Sequence, residues 1–128
     1  MALSAPEPVD EALRALADPV RRRTVELLAD RPRRSGELAD ALAVAPSVMS
    51  KHLRILRQGG LVAERSDGLD ARVRIYSLRS AGMADLRSWM DRAERGWVEQ
   101  LTALRDHLEG GQGPTELGDV RAGDGPRG

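Results

Sequence analysis

The side chains best suited to specific binding chemistry lie between Pro46 and Gln58. Three apolar residues in this segment recur at intervals of four and three, and so share one face of a predicted helix: Met49, Leu53 and Leu56. Small polar and basic side chains fall on the opposite face, called here the outer face: Ser47, Ser50, Lys51, Arg54 and Gln58. The segment contains no acidic residue. Short hydroxyls and long cationic donors on one helix face are the groups that bind base edges and phosphates in a major groove.

Two short strands are predicted after this helix, over residues 61–65 and 73–78, because their polar and apolar residues alternate. Residues 66–71, which contain Ser, Asp and Gly, predict the turn between them. Three basic residues belong to this hairpin: Arg65, Arg72 and Arg74. Because alternate residues on a strand share a face, we expect Arg72 and Arg74 to point together towards a minor groove or phosphates. The alternative is a hairpin that only covers the core, and both roles are compatible.

The residue types argue against catalysis and against a cofactor. The chain has no Cys, which excludes thiolate metal ligands, thiol nucleophiles and disulfides. Only His52 and His107 offer an imidazole, and no glycine-rich phosphate loop follows a strand. We therefore predict neither an enzyme nor a bound cofactor. His52 lies at the edge of the apolar stripe, and we interpret it as a partly buried structural residue, with a phosphate contact as the alternative.

The charge distribution favours a polyanionic partner for the middle of the chain. The formal net charge is +0, but thirteen basic and seven acidic residues between 20 and 79 give that segment +6. The flanking segments are acidic. A basic central block is typical of a phosphate-facing surface, although a solvated Arg-rich surface has the same composition.

We expect neither a membrane span nor a secretory signal in this chain. No run approaches about 18 uncharged apolar residues, and the first residues lack the basic and apolar regions of a signal peptide. We therefore expect a soluble, cytoplasmic protein. Residues 1–8 are predicted to be flexible, residues 9–109 to form one domain, and the Gly/Pro-rich residues 110–128 to form a disordered tail.

Helix start and stop signals divide the domain into elements. Asp18-Pro19 predicts the start of a second helix after a short amphipathic one, Ser35 the N-cap of a third, and Pro46 the start of a fourth that ends at Gly59-Gly60. A long helix from about residue 80 to 108 follows the two strands. The predicted fold class is mainly α with a small β-hairpin, a winged helix-turn-helix with a long C-terminal helix.

The long helix carries an apolar stripe that one small domain cannot cover. A symmetric homodimer is therefore predicted, with the stripe and the first helix at its interface. The predicted interface residues are Leu13, Leu16, Leu86, Trp89, Met90, Ala93, Trp97, Leu101 and Leu104.

Several motifs together resemble the ArsR family of transcriptional repressors. Residues 16–22 (Leu-Ala-Asp-Pro-Val-Arg-Arg) are similar to that family's "LADPTRR" segment, and residues 50–56 match its "SxHLxxL" recognition-helix signature. Residues 60–78 resemble its "GLV…R…G…Y.L" wing. The resemblance covers about residues 10–108. It implies a homodimeric repressor that binds double-stranded DNA at a two-fold-symmetric operator, with these residues at the DNA: Ser47, Val48, Ser50, Lys51 and Arg54.

The resemblance leaves the regulating signal open. One metal site of the family needs a Cys-x-Cys after Glu-Leu, whereas here Ala39-Asp40-Ala41 follows Glu37-Leu38. The last helix offers several carboxylates but only His107, so we predict no metal site. A small-molecule inducer of unknown identity is compatible with the sequence. The alternative function is a winged-helix protein–protein interaction module without operator binding, which would not need an acid-free outer face.

Overall fold

The computed structural model describes residues 7–112 of the chain. In chain order the elements are α1 (Pro8–Ala15), α2 (Pro19–Asp30), β1 (Arg33–Arg34), α3 (Ser35–Leu42), α4 (Pro46–Gln58), β2 (Val62–Ser66), β3 (Arg74–Leu78) and α5 (Ser80–Gln112). The predicted fold class is confirmed: the chain is mainly helical, with a small antiparallel sheet and a long C-terminal helix. Within the described range, none of the helices combines the length and the apolar character needed to cross a membrane.

The chain divides into two compact units, residues 1–89 and 90–128. The first unit holds a core to which every one of its helices contributes. Its largest fully buried side chains are Leu38, Met49, Leu53, Leu56, Leu61, Val62 and Thr24. The described part of the second unit is the remainder of α5, in which all residues from 90 to 108 are exposed.

The starts of α2 and α4 follow from local sequence. The side chain of Asp18 accepts a hydrogen bond from the backbone N–H of Val20 at 2.7 Å and from that of Arg21 at 3.3 Å. It thereby satisfies donors that have no partner inside α2. Pro19 and Pro46 occupy the first positions of their helices, where the missing N–H costs nothing.

A three-residue turn, Ala43 to Ala45, joins α3 to α4. Ala43 ends α3 in the left-handed conformation, with φ of 56°. Residues other than glycine and asparagine adopt this backbone conformation at some cost. The N–H of Val44 donates to the carbonyl oxygen of Ala39 at 3.0 Å, which closes the end of α3. This short connection gives the helix-turn-helix arrangement predicted from the sequence.

The sheet has three strands in the order β1-β3-β2, with both pairs antiparallel. The prediction of a two-stranded hairpin was therefore incomplete, because the two-residue β1 is too short to show a periodic pattern. Arg33 pairs with Tyr76, and Arg34 with Ile75. The prediction that Ser35 caps α3 was also wrong. The chain runs from β1 directly into the helix, so Arg34 is the N-cap, and its N–H donates to Oε1 of Glu37 at 2.9 Å.

Element boundaries differ from the predictions by a few residues at the ends. The strands begin one residue later than predicted, and α1 already includes Pro8. The predicted tail begins at Gly110, but α5 continues to Gln112, because a glycine costs a helix only about 1 kcal/mol and the first proline of the tail is Pro114. Residues 1–6 and 113–128, where the other terminal predictions fall, lie outside the described residues.

Two close approaches fix the chain where α4 ends. Gly60 has φ of +77°, a conformation that favours glycine. A Cβ added to Gly82, in the first turn of α5, would overlap the carbonyl oxygen of Gly60. A Cβ at Gly59 would lie 3.1 Å from the carbonyl oxygen of Glu11 and 3.2 Å from Cβ of Ala15. Glycines therefore allow both α1 and the start of α5 to pack against the end of α4.

Candidate nucleic-acid interface

The core places α4 so that its polar residues face outward. Met49, Leu53 and Leu56 are at most 1% exposed and hold one side of the helix against the core. All five outer-face residues are exposed. The separation predicted from helical spacing is therefore the one that the structure has.

Two apolar side chains flank the outer face on one side. Val48 is 42% exposed and Ile55 36% exposed. The family resemblance places Val48 at the DNA, whereas Ile55 was not singled out from the sequence. At 100° per residue these two side chains lie close to one direction, beside Lys51. The accessible surface of α4 is therefore basic and hydroxyl-bearing with one apolar edge.

The cations of the outer face are available for an external partner. In the described part of the chain, neither Lys51 nor Arg54 takes part in an ion pair. Arg57, at the end of α4, differs, because its Nη1 lies 3.0 Å from Oε1 of Glu64 on β2. On α4, the two unpaired cations, Lys51 and Arg54, thus lie on the outer face, and the paired Arg57 lies beside the sheet.

The hairpin wing, residues 62–78, uses most of its arginines internally. Arg72 precedes β3 and lies in the connecting turn, where its Nε is 3.3 Å from Oδ1 of Asp70. Its backbone N–H donates to the same oxygen at 3.0 Å. The expectation that Arg72 shares a strand face with Arg74 therefore does not hold, since this side-chain-to-backbone turn keeps Arg72 out of the strand.

Arg74 and Arg65 lie on opposite faces of the hairpin. Arg74 is opposite Ser66, and Arg65 is opposite Ile75, so the alternation of strands separates the two arginines. Nε of Arg74 is 3.5 Å from Oε2 of Glu64, and its Nη1 donates to Oγ of Ser66 at 3.1 Å. Arg65 is exposed and, among the residues that the structure describes, forms no ion pair.

An arginine that sequence reasoning did not single out connects the wing to the start of α3. Nη2 of Arg34 lies 3.0 Å from Oδ2 of Asp67 in the turn of the hairpin. Asp67 also accepts a hydrogen bond from the N–H of Leu69 at 3.0 Å. These residues are far apart in sequence, so only the pairing of β1 with β3 brings them together, and no local sequence signal indicated the contact.

Hydrogen bonds, burial and nearby charges shift the pKa of three groups in this region, namely Asp70, Glu37 and Tyr76. Hydrogen bonds from the side chain and the backbone of Arg72 lower the pKa of Asp70 below its ordinary value of 3.8. The backbone N–H of Arg34 lowers the pKa of Glu37 below 4.5, with a smaller contribution from the charge of Arg31. Burial raises the pKa of Tyr76 above 10.0, and the neighbouring Glu64 carboxylate raises it further. The pairs of Asp70 with Arg72 and of Glu37 with Arg31 therefore persist throughout the neutral pH range.

The predicted dimer residues fall into two groups in the structure. Leu86 is 8% exposed and belongs to the core of the first unit, and three more are half-buried against that core: Leu13, Leu16 and Trp89. Four of the predicted residues lie in the second unit as large, exposed apolar side chains, namely Met90 at 56%, Trp97 at 60%, Leu101 at 46% and Leu104 at 54%. Ala93 is exposed with them.

No cluster of three or more His, Cys, Asp or Glu side chains suited to a metal ion occurs within the described residues. One small, open cavity of about 190 Å³ lies between the start of α2 and the end of α3. Its lining residues are Pro19, Val20, Arg23, Ala41, Leu42 and Ala43. This volume is below that of sites for drug-sized ligands, roughly 300–1,000 Å³.

Comparison with known proteins gives consistent results. Residues 18–64 match the family described as bacterial regulatory protein, arsR family. The HTH-type transcriptional regulator Rv2034 of Mycobacterium tuberculosis is 42% identical over 100 residues, which cover 78% of this chain and 88% of that protein. The chain belongs to the ArsR family. It is a DNA-binding transcriptional regulator and not an enzyme.

Two further comparisons extend this result. The transcriptional repressor SdpR of Bacillus subtilis is 27% identical over 82 residues, 64% of this chain and 88% of that protein. A crystal structure described as a possible transcriptional regulator for arsenical resistance is 34% identical, with a TM-score of 0.60. That match covers 77% of this chain and 96% of the solved one. The similarity thus includes α4, the wing and much of α5.

Proposed function

We propose that this ArsR-family protein is a cytoplasmic homodimeric repressor that binds an inverted-repeat operator. The observation that carries the proposal is the outer face of α4, which is exposed, contains no carboxylate and keeps Lys51 and Arg54 out of ion pairs. Each protomer would place α4 in a major groove, so that Ser47, Val48 and Ser50 near its N-terminus approach base edges. Lys51 and Arg54 would bind guanine acceptors or phosphates.

The wing supplies a second contact in this proposal. Arg65, Arg72 and Arg74 would approach the backbone or the minor groove next to the site of α4. Arg65 is the strongest of the three candidates, because its guanidinium has no carboxylate partner within the described residues. The other two would have to exchange or share their internal partners, Asp70 and Glu64.

The proposal of a two-fold dimer is supported by the exposed stripe of α5, defined here as Met90, Ala93, Trp97, Leu101 and Leu104. Large apolar side chains at intervals of three and four on an exposed helix are typical of a helix–helix interface. The same stripe of a second protomer would cover it, because a two-fold axis brings the same surface of both subunits into contact. Leu13 and Leu16 of α1 remain predicted interface residues, while Leu86 already lies in the core of the protomer.

The dimer can be tested by sedimentation of wild-type protein and of Trp97→Glu with Leu101→Glu. We expect the double variant to sediment as a monomer, because two carboxylates would replace the largest apolar groups of the stripe. The matched control is Leu69→Glu, a change at an exposed leucine of the wing that lies outside the stripe. A double variant that remains dimeric would contradict this interface.

Operator binding can be tested by fluorescence anisotropy with the duplex upstream of the protein's own gene, measured against random duplex at several salt concentrations. We expect two protomers per site and half-sites about 10 to 10.5 base pairs apart or a multiple of that. With about 6–10 phosphate contacts, affinity should fall by about 10³–10⁵ between 50 and 200 mM salt. Equal competition by random duplex would contradict operator recognition, and no binding at low salt would favour the protein-interaction alternative.

A further inference from the structure

One side-chain contact connects the start of α2 with the middle of α4. Nη1 of Arg21 lies 3.1 Å from Nδ1 of His52. The same guanidinium donates from Nε to the carbonyl oxygen of Ala15 at 2.6 Å. Both Arg21 and His52 are half-buried. A single side chain therefore joins the last turn of α1, the first turn of α2 and the helix that carries the outer face.

The position of Arg21 is electrostatically unfavourable without compensation. It occupies the first turn of α2, where the helix dipole favours negative rather than positive charge. Asp18 provides the compensation. Burial raises the pKa of its carboxyl, but hydrogen bonds from the N–H groups of Val20 and Arg21 lower it more, and the pKa lies below 3.8. Asp18 is therefore ionised at neutral pH, beside both Arg21 and His52.

The contact with Arg21 determines which ring nitrogen of His52 accepts a hydrogen bond. A guanidinium has only donors, so Nδ1 of His52 must accept, and the neutral ring then carries its proton on Nε2. The outer face lies on one side of this ring, and the buried stripe of α4 lies on the other. The stripe itself is made of flexible Leu and Met side chains, which tolerate a small rotation of the helix.

We infer that the contact between Arg21 and His52 fixes the rotation of α4 about its axis, so that His52 is a positioning residue for DNA binding. This inference rests on the proposed function of the outer face. Base recognition requires side chains to be placed within about 0.5 Å, which a core of Leu and Met alone does not ensure. A directional hydrogen bond from a half-buried arginine supplies the missing constraint, and His52 itself touches no phosphate.

Two replacements of His52 separate positioning from phosphate contact. His52→Asn keeps an acceptor oxygen near the place of Nδ1 and has no group at Nε2, so we expect operator affinity within about twofold of wild type, since the charged hydrogen bond is retained. His52→Gln reaches the place of Nε2 but offers no acceptor near Nδ1. For this variant we expect a loss of about tenfold, the value of a charge-assisted hydrogen bond.

Arg21→Lys is the matched change on the other side of the contact. It keeps the charge but cannot donate to Ala15 and His52 together, so we expect a similar loss of about tenfold. All three variants should keep the wild-type slope of affinity against salt, because none removes a phosphate contact. Affinity is measured well below the unfolding temperature of each variant, so that the fraction of folded protein does not contribute.

Every other combination of operator affinities and salt slopes among these three variants overturns the inference. Retention by His52→Gln with loss and a shallower salt slope in His52→Asn would make His52 a phosphate ligand. Wild-type affinity in all three variants would show that the contact does not affect binding. A loss in His52→Asn equal to that in His52→Gln would show that His52 contributes only by packing.

The contact can also be tested without DNA, so its failure is distinguishable from failure of the proposed function. Nitrogen chemical shifts of the imidazole in the free protein should show the proton on Nε2 of His52. Amide hydrogen exchange along α4 should be faster in Arg21→Lys than in wild type. A proton on Nδ1, or unchanged exchange in α4, would overturn the inference even if wild-type protein bound no operator.

Discussion

The outer face of α4 and the hairpin wing both carry basic residues, but the outer face leaves both of its cations unpaired, whereas within the described residues the wing leaves only Arg65 unpaired. Lys51 and Arg54 have no ionic partner within the described residues, whereas Arg72 and Arg74 bind Asp70 and Glu64. A count of arginines therefore overestimates the contribution of the wing. We therefore expect phosphate and base contacts to form at cations that have no internal partner, and not at every cation.

The largest expected effect comes from reversing the charge of the outer face. We expect Lys51→Glu with Arg54→Glu to abolish operator binding and to leave the dimer intact. Two lost contacts of about 1–3 kcal/mol each weaken binding at least thirtyfold, and two new carboxylates repel phosphates in addition. Anisotropy at low salt measures the loss, and sedimentation checks the dimer.

The control for this change is Arg95→Glu with Arg105→Glu, two exposed arginines of α5 with the same total change in charge. If both double variants lose affinity equally, net charge alone governs binding. Unchanged affinity of the outer-face variant would remove α4 from the interface.

A smaller effect is expected in the wing, where the two kinds of arginine can be compared directly. Arg65→Gln removes an unpaired cation, and we expect a several-fold weaker affinity for all sequences with a salt slope lower by about 0.9. Arg72→Gln with Asp70→Asn removes a pair without a change in net charge. We expect that double variant to lose less affinity than Arg65→Gln, because Asp70 neutralises much of the charge that Arg72 brings to the phosphates. If instead it binds as weakly as Arg65→Gln, Arg72 leaves Asp70 when DNA binds.

A substitution that leaves every charge unchanged separates the stability of the turn before α4 from electrostatic effects on DNA binding. Ala43→Gly relieves the left-handed conformation in the turn before α4, and we expect it to stabilise the fold by about 0.5–1 kcal/mol. Urea unfolding measures the gain, and operator affinity should not change. Ala43→Val is the matched control, since a β-branched residue is more strained at positive φ and should destabilise the protein.

The parts of the molecule that could be predicted from sequence are those fixed by neighbours along the chain. The limits of α4 follow from Pro46, Gly59 and the spacing of three buried residues, all of which are local signals. The contact of Arg34 with Asp67 depends on strand pairing across the sheet, and that of Arg21 with His52 on the packing of α2 against α4. Neither contact leaves a periodic signal, so sequence reasoning did not single out Arg34 and did not find the partner of His52.

The smallest effect is expected from releasing one wing cation without removing it. Asp70→Asn keeps an oxygen to accept the backbone N–H of Arg72 and so preserves the turn, but it removes the charge that neutralises the guanidinium. Lowering the pH within the range from 8 to 5 does not remove the negative charge of Asp70. Because the pKa of Asp70 is lowered, its pairing with Arg72 is lost only as pH falls below 3.8, so wing binding should not vary between pH 8 and 5.

We therefore expect Asp70→Asn to bind operator and random duplex slightly more tightly, by the same factor, with a salt slope steeper by about 0.9. A gain confined to the operator would mean that Arg72 reads bases instead of phosphates. No gain at all would place Arg72 away from the DNA, because a freed guanidinium near the backbone must add a phosphate contact. In that case Arg65 and Arg74 would remain as the wing residues at the DNA, and only Arg65 of these two has no carboxylate partner within the described residues.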